Sequence, residues 1–189
     1  LNSISKIQIQ RGVGTSKNGV ASYGGSVQLF SPNLADTTKT TFGLGFGSFN
    51  SLRVFGEYNS GIRNKKALYV RASQISSDGY KYHSSNNSQS VFLSGGLFYD
   101  KSIWKLNFLA GHQRNDLAWI GVSDSLINTD RKINANSRQE KDRFFQMLTQ
   151  LQNSWLINRS SSLQSSIYFT FLKGNYGFDY NNFLGLPST

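Results

Sequence analysis

From residue 40 onward the chain is a succession of segments in which apolar and polar side chains alternate. The first, 38–47, sets Phe42, Leu44 and Phe46 against Thr41, Gly43 and Gly45. Six more follow at 51–60, 66–76, 89–99, 102–113, 142–157 and 162–173. A period of two is the mark of a strand with two unlike faces. The connections alternate in length as well. Those at 61–65, 100–101 and 158–161 are short, and those at 77–88, 114–141 and 174–189 are long. A soluble sandwich gives no reason for such alternation. A transmembrane barrel does, with short turns on one side of the membrane and long loops on the other. Tyr58, Tyr99, Trp104 and Trp155 lie beside the short turns, where an interfacial aromatic girdle belongs.

One segment competes for another reading. Residues 138–152 contain Phe144, Phe145, Met147, Leu148 and Leu151 and fit a helix as well as a strand. Its neighbours decide for strand, because a lone helix has no place in a barrel wall.

Composition agrees with the pattern. Charged residues are 16% of the chain, against about a quarter in a soluble domain, and aromatics are 14%. No run of eighteen apolar residues offers a transmembrane helix. There is no Cys, which removes disulfides and thiolate metal sites. The net charge is +10, but the basic residues are scattered, mostly one per strand or turn and with no run of four, so nucleic acid is not the expected partner. The chain has no signal peptide, does not begin with Met, and reads as truncated at both ends.

Before the alternating region lies a different unit. An alternating segment, 4–10, leads into Arg11-Gly12-Val13-Gly14, then Asn18-Gly19 and Gly24-Gly25, and a second alternating segment leaves at 26–31. Gly12-Val13-Gly14 is not a dinucleotide fingerprint, since no helix opens after it, and no Gly-Lys-Ser/Thr triplet forms a P-loop. The pattern Arg11-Gly12, Gly19, Gly24-Gly25, Val27-Gln28-Leu29 resembles the end of the plug domain of TonB-dependent outer-membrane receptors. Val13 stands where the family usually has proline, and Asn18 where it usually has tyrosine. Phe46-Gly47-Ser48-Phe49-Asn50, Ser76-Ser77-Asp78-Gly79-Tyr80, Leu93-Ser94-Gly95-Gly96 and Ala118-Trp119-Ile120-Gly121-Val122 extend the likeness. They resemble landmarks of Bacteroidetes-type receptors, in the branch similar to siderophore, haem and cobalamin importers.

The resemblance implies an all-β chain, part of a plugged antiparallel transmembrane β-barrel of 22 strands. Residues 1–31 would be the C-terminal part of the plug, 32–39 a linker, and 40–189 the first strands of the barrel, a meander of about seven. It implies active import of a scarce nutrient, an iron-siderophore, haem or cobalamin-like chelate. The implied partners are that ligand, the TonB energy-transducing complex acting through an N-terminal segment missing here, and outer-membrane lipid. A passive porin-like channel or adhesin is the alternative, and a soluble β-sandwich binding module a more distant one.

No enzyme is expected. His83 and His112 form no acid–base pair by spacing, no nucleophile elbow occurs, and neither a metal site nor a cofactor is called for. The plug–barrel contact is expected at Arg11, Gly12, Gly24, Gly25 and Glu57. Arg11 would face a lumenal carboxylate, from strands beyond this chain or from Glu57. Ligand contact is expected from the loop residues Tyr80, Tyr82, His83, Trp119, Tyr176 and Tyr180. Leu68, Val70, Leu93, Leu106, Phe108, Ile167 and Phe169 should lie together on the convex, lipid-facing side.

Overall fold

The computed structural model describes residues 4–13 and 23–186. Strand β1 (Lys6–Arg11) pairs antiparallel with β2 (Gly25–Phe30), with Lys6 opposite Phe30 and Arg11 opposite Gly25. Gly25 has φ 145°, and a Cβ there would sit 2.6 Å from the Gln10 carbonyl oxygen, so the end of this hairpin requires glycine. Gly14, Asn18 and Gly19 lie outside the described residues.

Seven strands make the second sheet: β3 (Lys39–Gly47), β4 (Ser51–Asn59), β5 (Lys66–Ser77), β6 (Asn86–Phe98), β7 (Ser102–Asp116), β8 (Lys141–Asn158) and β9 (Ser161–Tyr176). Each is hydrogen-bonded, antiparallel, to its neighbour in sequence. This is the expected meander. It is neither a Greek key nor two sheets packed face to face. At the turn after β4, Asn64 and Lys65 have φ 49° and 62°, and Arg63 and Lys66 exchange backbone hydrogen bonds of 2.8 and 2.9 Å. Two consecutive left-handed residues match the right-handed twist of a tight hairpin.

The ambiguous segment is a strand: β8 spans 18 residues and pairs on both sides. Three strands reach further than their alternation suggests, β7 among them, which runs to Asp116. β6 starts at Asn86, because Asn86, Asn87 and Ser88 continue the ladder opposite Asn115, Arg114 and Gln113. β9 runs to Tyr176, opposite Asp142. Polar strand ends carry no apolar period, so alternation misses them. Two single-turn helices, α1 (Asp124–Thr129) and α2 (Tyr180–Phe183), sit in the long connections and were not expected. Both are too short for a 3.6-residue period to register.

The faces of the wall are inverted relative to a soluble sheet. One face carries the buried polar residues Asn59, Arg71, Ser94 and Asn107, with Tyr69 and Phe92 among them. Ser94 donates to Asn107, which donates to Gln150, along one cross-strand row. The opposite face is aliphatic and aromatic. Leu68, Leu93, Leu106, Ile167 and Phe169 are exposed there, Ile167 at 74%, with Val70 and Phe108 half-buried. The register aligns them in rows, Val70–Leu93–Phe108–Thr149–Phe169 and Leu68–Gly95–Leu106–Leu151–Ile167. None of the seven is in a protein core. Apolar residues outward and polar residues inward is the pattern of a membrane barrel. Tyr58, Tyr99, Trp104 and Trp155 are all exposed near the short-turn end.

Candidate functional site

Two regions hold irregular chain against the wall. The first is the segment between the hairpin and β3, which crosses the polar face. Leu34 is 3% exposed and packs in a small cluster with Ala67, Tyr69 and Phe92, flanked by Phe98 and Leu109. Gly96 makes the seat: a Cβ there would lie 2.8 Å from Leu34 Cδ1 and 2.7 Å from the Phe98 ring. Polar ties flank the pin. Lys105 Nζ donates to Ser31 Oγ at 2.6 Å, Asn59 Nδ2 to the Asn33 carbonyl at 3.0 Å, and Thr38 Oγ1 to the Ser60 carbonyl at 2.8 Å.

Beside this seat, Glu57 accepts hydrogen bonds from Tyr69 Oη at 3.0 Å and Arg71 Nη1 at 2.5 Å. The Arg71 guanidinium lies 4.2 Å from the Phe55 ring centroid, a cation–π contact that shields it from water. Arg71 is nearly fully buried, and only its pairing with Glu57 makes that tolerable. A cleft of about 550 Å³ separates the linker from this part of the wall, lined by Asp36, Lys39, Glu57, Asn59 and Tyr69 among others.

The second region is the cluster of long loops at the other end of the strands. Glu140, 1% exposed, holds it together. Its carboxylate accepts from Asn136 Nδ2 at 2.5 Å, Ser137 N at 3.2 Å and Asp179 N at 3.1 Å, so one side chain ties the β7–β8 loop to the segment after β9. Asn182 Nδ2 adds a bond to the Ala135 carbonyl at 2.9 Å. Asn134 Nδ2 reaches the β5–β6 loop, donating to the Tyr82 carbonyl at 2.9 Å and the His83 carbonyl at 3.3 Å, with His83 Nδ1 3.2 Å away. The Tyr82 hydroxyl is hydrogen-bonded to Asp130, and that bond and the nearby charge hold the phenol above its ordinary pKa.

The residues expected at the plug contact are only partly brought together. Arg11, Gly12 and Gly24 are exposed at the end of the β1–β2 hairpin where the chain passes from one strand to the other, and Gly12 N donates to the Gly24 carbonyl at 3.2 Å. Glu57 is engaged within the wall by Tyr69 and Arg71, and no ion pair joins it to Arg11 among the described residues. The expected ligand contacts all lie in the loop cluster. Tyr80 stands edge-on to Phe49, with ring centroids 5.5 Å apart. Tyr180 opens α2 beside Phe178, and Trp119 and Tyr176 are exposed. Tyr80, Tyr82 and His83 thus belong to the β5–β6 connection, and Trp119 to the β7–β8 connection. Tyr176 ends β9, and Tyr180 lies in the segment after it.

Three contributors escape the alternation: Leu34, Arg71 as partner of Glu57, and Glu140. Arg71 was within reach, since it shares a face with Tyr69, but the β4–β5 register is needed to set it opposite Glu57. Among the described residues, no three His, Cys, Asp or Glu side chains converge into a metal-binding group, and no helix is long and apolar enough to cross a membrane.

No family model and no curated protein matches the chain by sequence. Solved structures do match. The siderophore receptor PiuA from Acinetobacter baumannii superimposes with a TM-score of 0.80 at 12% identity, over 92% of this chain and 27% of that one. The open form of the ferric-catecholate import receptor Fiu from E. coli K12 gives 0.77 at 15% identity, over 92% of this chain and 29% of that one. Its closed form gives 0.72 at 16% identity, over 88% and 26%. The chain therefore spans under a third of the length of the receptors it matches, and at these identities the likeness is one of fold.

Proposed function

We propose that this chain is the plug end and first wall strands of a TonB-dependent outer-membrane receptor that imports a ferric siderophore. The observation that carries the reading is the inverted wall. A seven-strand meander with an apolar outer face and a hydrogen-bonded polar inner face is suited to lipid on one side and an aqueous lumen on the other. The fold shared with two named siderophore receptors supports import over passive conduction. In this reading residues 1–31 close the plug, 32–39 link it to the wall, and 40–189 begin the barrel. The protein binds and transports, without catalysis.

The linker seat then fixes the plug's last segment to the inner wall. Pulling by the energy-transducing partner acts on the plug upstream of Leu34, and the pinned linker keeps the plug tethered to the barrel. Arg11, Gly12, Gly24 and Gly25 lie at the plug side of that tether. The exposed aromatics of the loop cluster, Tyr80, Tyr82, Trp119, Tyr176 and Tyr180, with His83, contribute to ligand contact above the plug. Aromatic faces suit the flat catechol rings of a ferric catecholate chelate.

The test is growth of an iron-limited strain that lacks its own catecholate receptors and carries the full-length gene. Rescue by ferric catecholate, abolished when the energy-transducing protein is deleted, is the expected result. Uptake that persists without that protein would instead fit a passive channel and overturn the reading.

A further inference from the structure

Near its loop end, one row short of the Asp116–Lys141 pair, the outer face of the wall carries a basic row. Arg114 on β7 lies directly opposite Arg143 on β8, between Asn87 on β6 and Asn175 on β9. The next row toward the short turns contains His112, Phe145 and, on β9, Lys173. Arg114, Arg143 and Lys173 are exposed, and among the described residues none has an ion pair or a side-chain hydrogen bond. Both acids beside them are already engaged: Asp116 by Lys141 Nζ at 3.7 Å and Ser85 Oγ at 2.6 Å, and Asp142 by Gln113 Nε2 at 3.0 Å and Asn115 Nδ2 at 3.2 Å. Two clefts of about 240 Å³ adjoin here, with Arg143 lining both, Arg114 lining the first and Lys173 the second.

Two arginines directly opposite on neighbouring strands repel one another, and an anion between them relieves the repulsion. Position on the wall says which anion. Trp104 marks the girdle at the short-turn end of β7, and Arg114 lies about ten residues further along the same strand. At about 3.3 Å per residue and a tilt of about 40°, that spans roughly 25 Å of depth, the height of a barrel's apolar band. Beneath the row of His112 and Lys173 lie three rows that are apolar but for Thr149: Val91–Ala110–Met147–Phe171, Leu93–Phe108–Thr149–Phe169 and Gly95–Leu106–Leu151–Ile167. The arginines therefore stand at the far border of the lipid-facing band. They are on the face opposite the linker, away from any path through the lumen.

We propose that Arg114 and Arg143, with Lys173 beside them, bind the phosphate of an outer-leaflet lipid headgroup whose acyl chains lie on the apolar rows beneath. Guanidinium forks suit this role, since each can hold two phosphate oxygens at once. The inference rests on the barrel reading above and gives its contact with outer-membrane lipid a headgroup site.

The test uses the full-length protein in detergent, with native mass spectrometry reading its binding of bisphosphorylated lipid A against the same lipid dephosphorylated. From the worth of a basic residue at a phosphate surface, each arginine should contribute about fivefold to the preference. The double variant R114Q/R143Q should lose about thirtyfold on the same basis. R159Q, which removes one charge from the short turn at the opposite end, should change nothing. Should the double variant fail to insert, the single variants R114Q and R143Q give the same reading at about fivefold each. An unchanged preference in variants that keep the heat-modifiable mobility of a folded barrel would overturn the lipid site and leave the barrel reading standing. Displacement of the lipid by an equal concentration of inorganic phosphate would overturn it too, since the row would then be reading free phosphate. A wild-type protein with no heat-modifiable mobility and no place in the outer membrane would overturn both.

Discussion

The linker and the long loops face the same problem, irregular chain lying against a β wall, and they meet it by different means. The linker is held by an apolar pin, Leu34, in a seat that Gly96 leaves open, with a few polar ties around it. The loops are held by a buried acid, Glu140, whose carboxylate collects donors from two connections. An apolar contact is non-directional and forgives small displacements. A buried hydrogen-bonded acid fixes direction, and leaves its partners unsatisfied when it is lost. In the transport reading, the tether tolerates movement of the plug, while the loops keep the shape a ligand must fit.

Glu140→Ala should break the comparison most sharply. It strands Asn136 Nδ2, Ser137 N and Asp179 N, and should lower the local opening free energy of the loops by about 4 kcal/mol. Hydrogen exchange in the detergent-solubilised full-length protein would show it, with protection lost across 117–140 and 177–186 together and retained at 31–38. Loss confined to one loop would mean that Glu140 does not couple them. Glu140→Gln keeps one acceptor oxygen and should fall between the two.

Leu34→Ala should open the other region and spare the loops. Truncating a buried leucine costs about 2–4 kcal/mol, here localised to the linker. Gly96→Ala attacks the same contact from the wall, since its Cβ would meet Leu34 and Phe98 inside contact distance, so the linker should exchange faster in that variant as well. If both variants leave 31–38 as protected as in the wild type, the polar ties hold the linker and Leu34 is incidental.

The wall was legible in the sequence because period two is a property of every strand, and a register error would have turned whole strands over. Leu68, Leu106 and Ile167 lie on one face for that reason, and β8 was separable from a helix because its neighbours were strands. The sites were much less legible. Leu34 is a single apolar residue in a polar segment, with no period to announce it. Glu57 could be assigned to the inner face by alternation, but its partner Arg71 is fixed only by the β4–β5 register. Glu140 gains its meaning from Asp179, far along the chain, and no local pattern connects the two. The loop aromatics were found by composition alone. Composition gives their exposure no geometry, and the bonds from Asn134 to the backbone at Tyr82 and His83 supply part of it.

The smallest expected effect lies at the outermost contact of the loop cluster, where Tyr82 meets Asp130. The hydrogen bond and the aspartate charge both favour the protonated phenol, so its pKa is raised in the folded loops. A raised acid pKa places the contact's stabilisation fully below the ordinary phenol value of about 10, and it is lost as pH climbs through the raised value. Neutral pH should therefore leave the loops unaffected. Above about pH 10 the β5–β6 loop should become more susceptible to a protease active in alkali. Tyr82→Phe should remove that alkaline step while leaving the backbone bonds from Asn134 in place. Asp130→Asn should lower the midpoint of the phenolate absorbance change attributable to Tyr82, read as the difference from Tyr82→Phe. Because Tyr82 is exposed, salt should screen the charge component and shrink the shift. An Asp130→Asn titration that overlays the wild type at low salt would remove Asp130 as the cause, and would leave the union of these two loops to Asn134 and the Tyr82–Lys132 backbone bond.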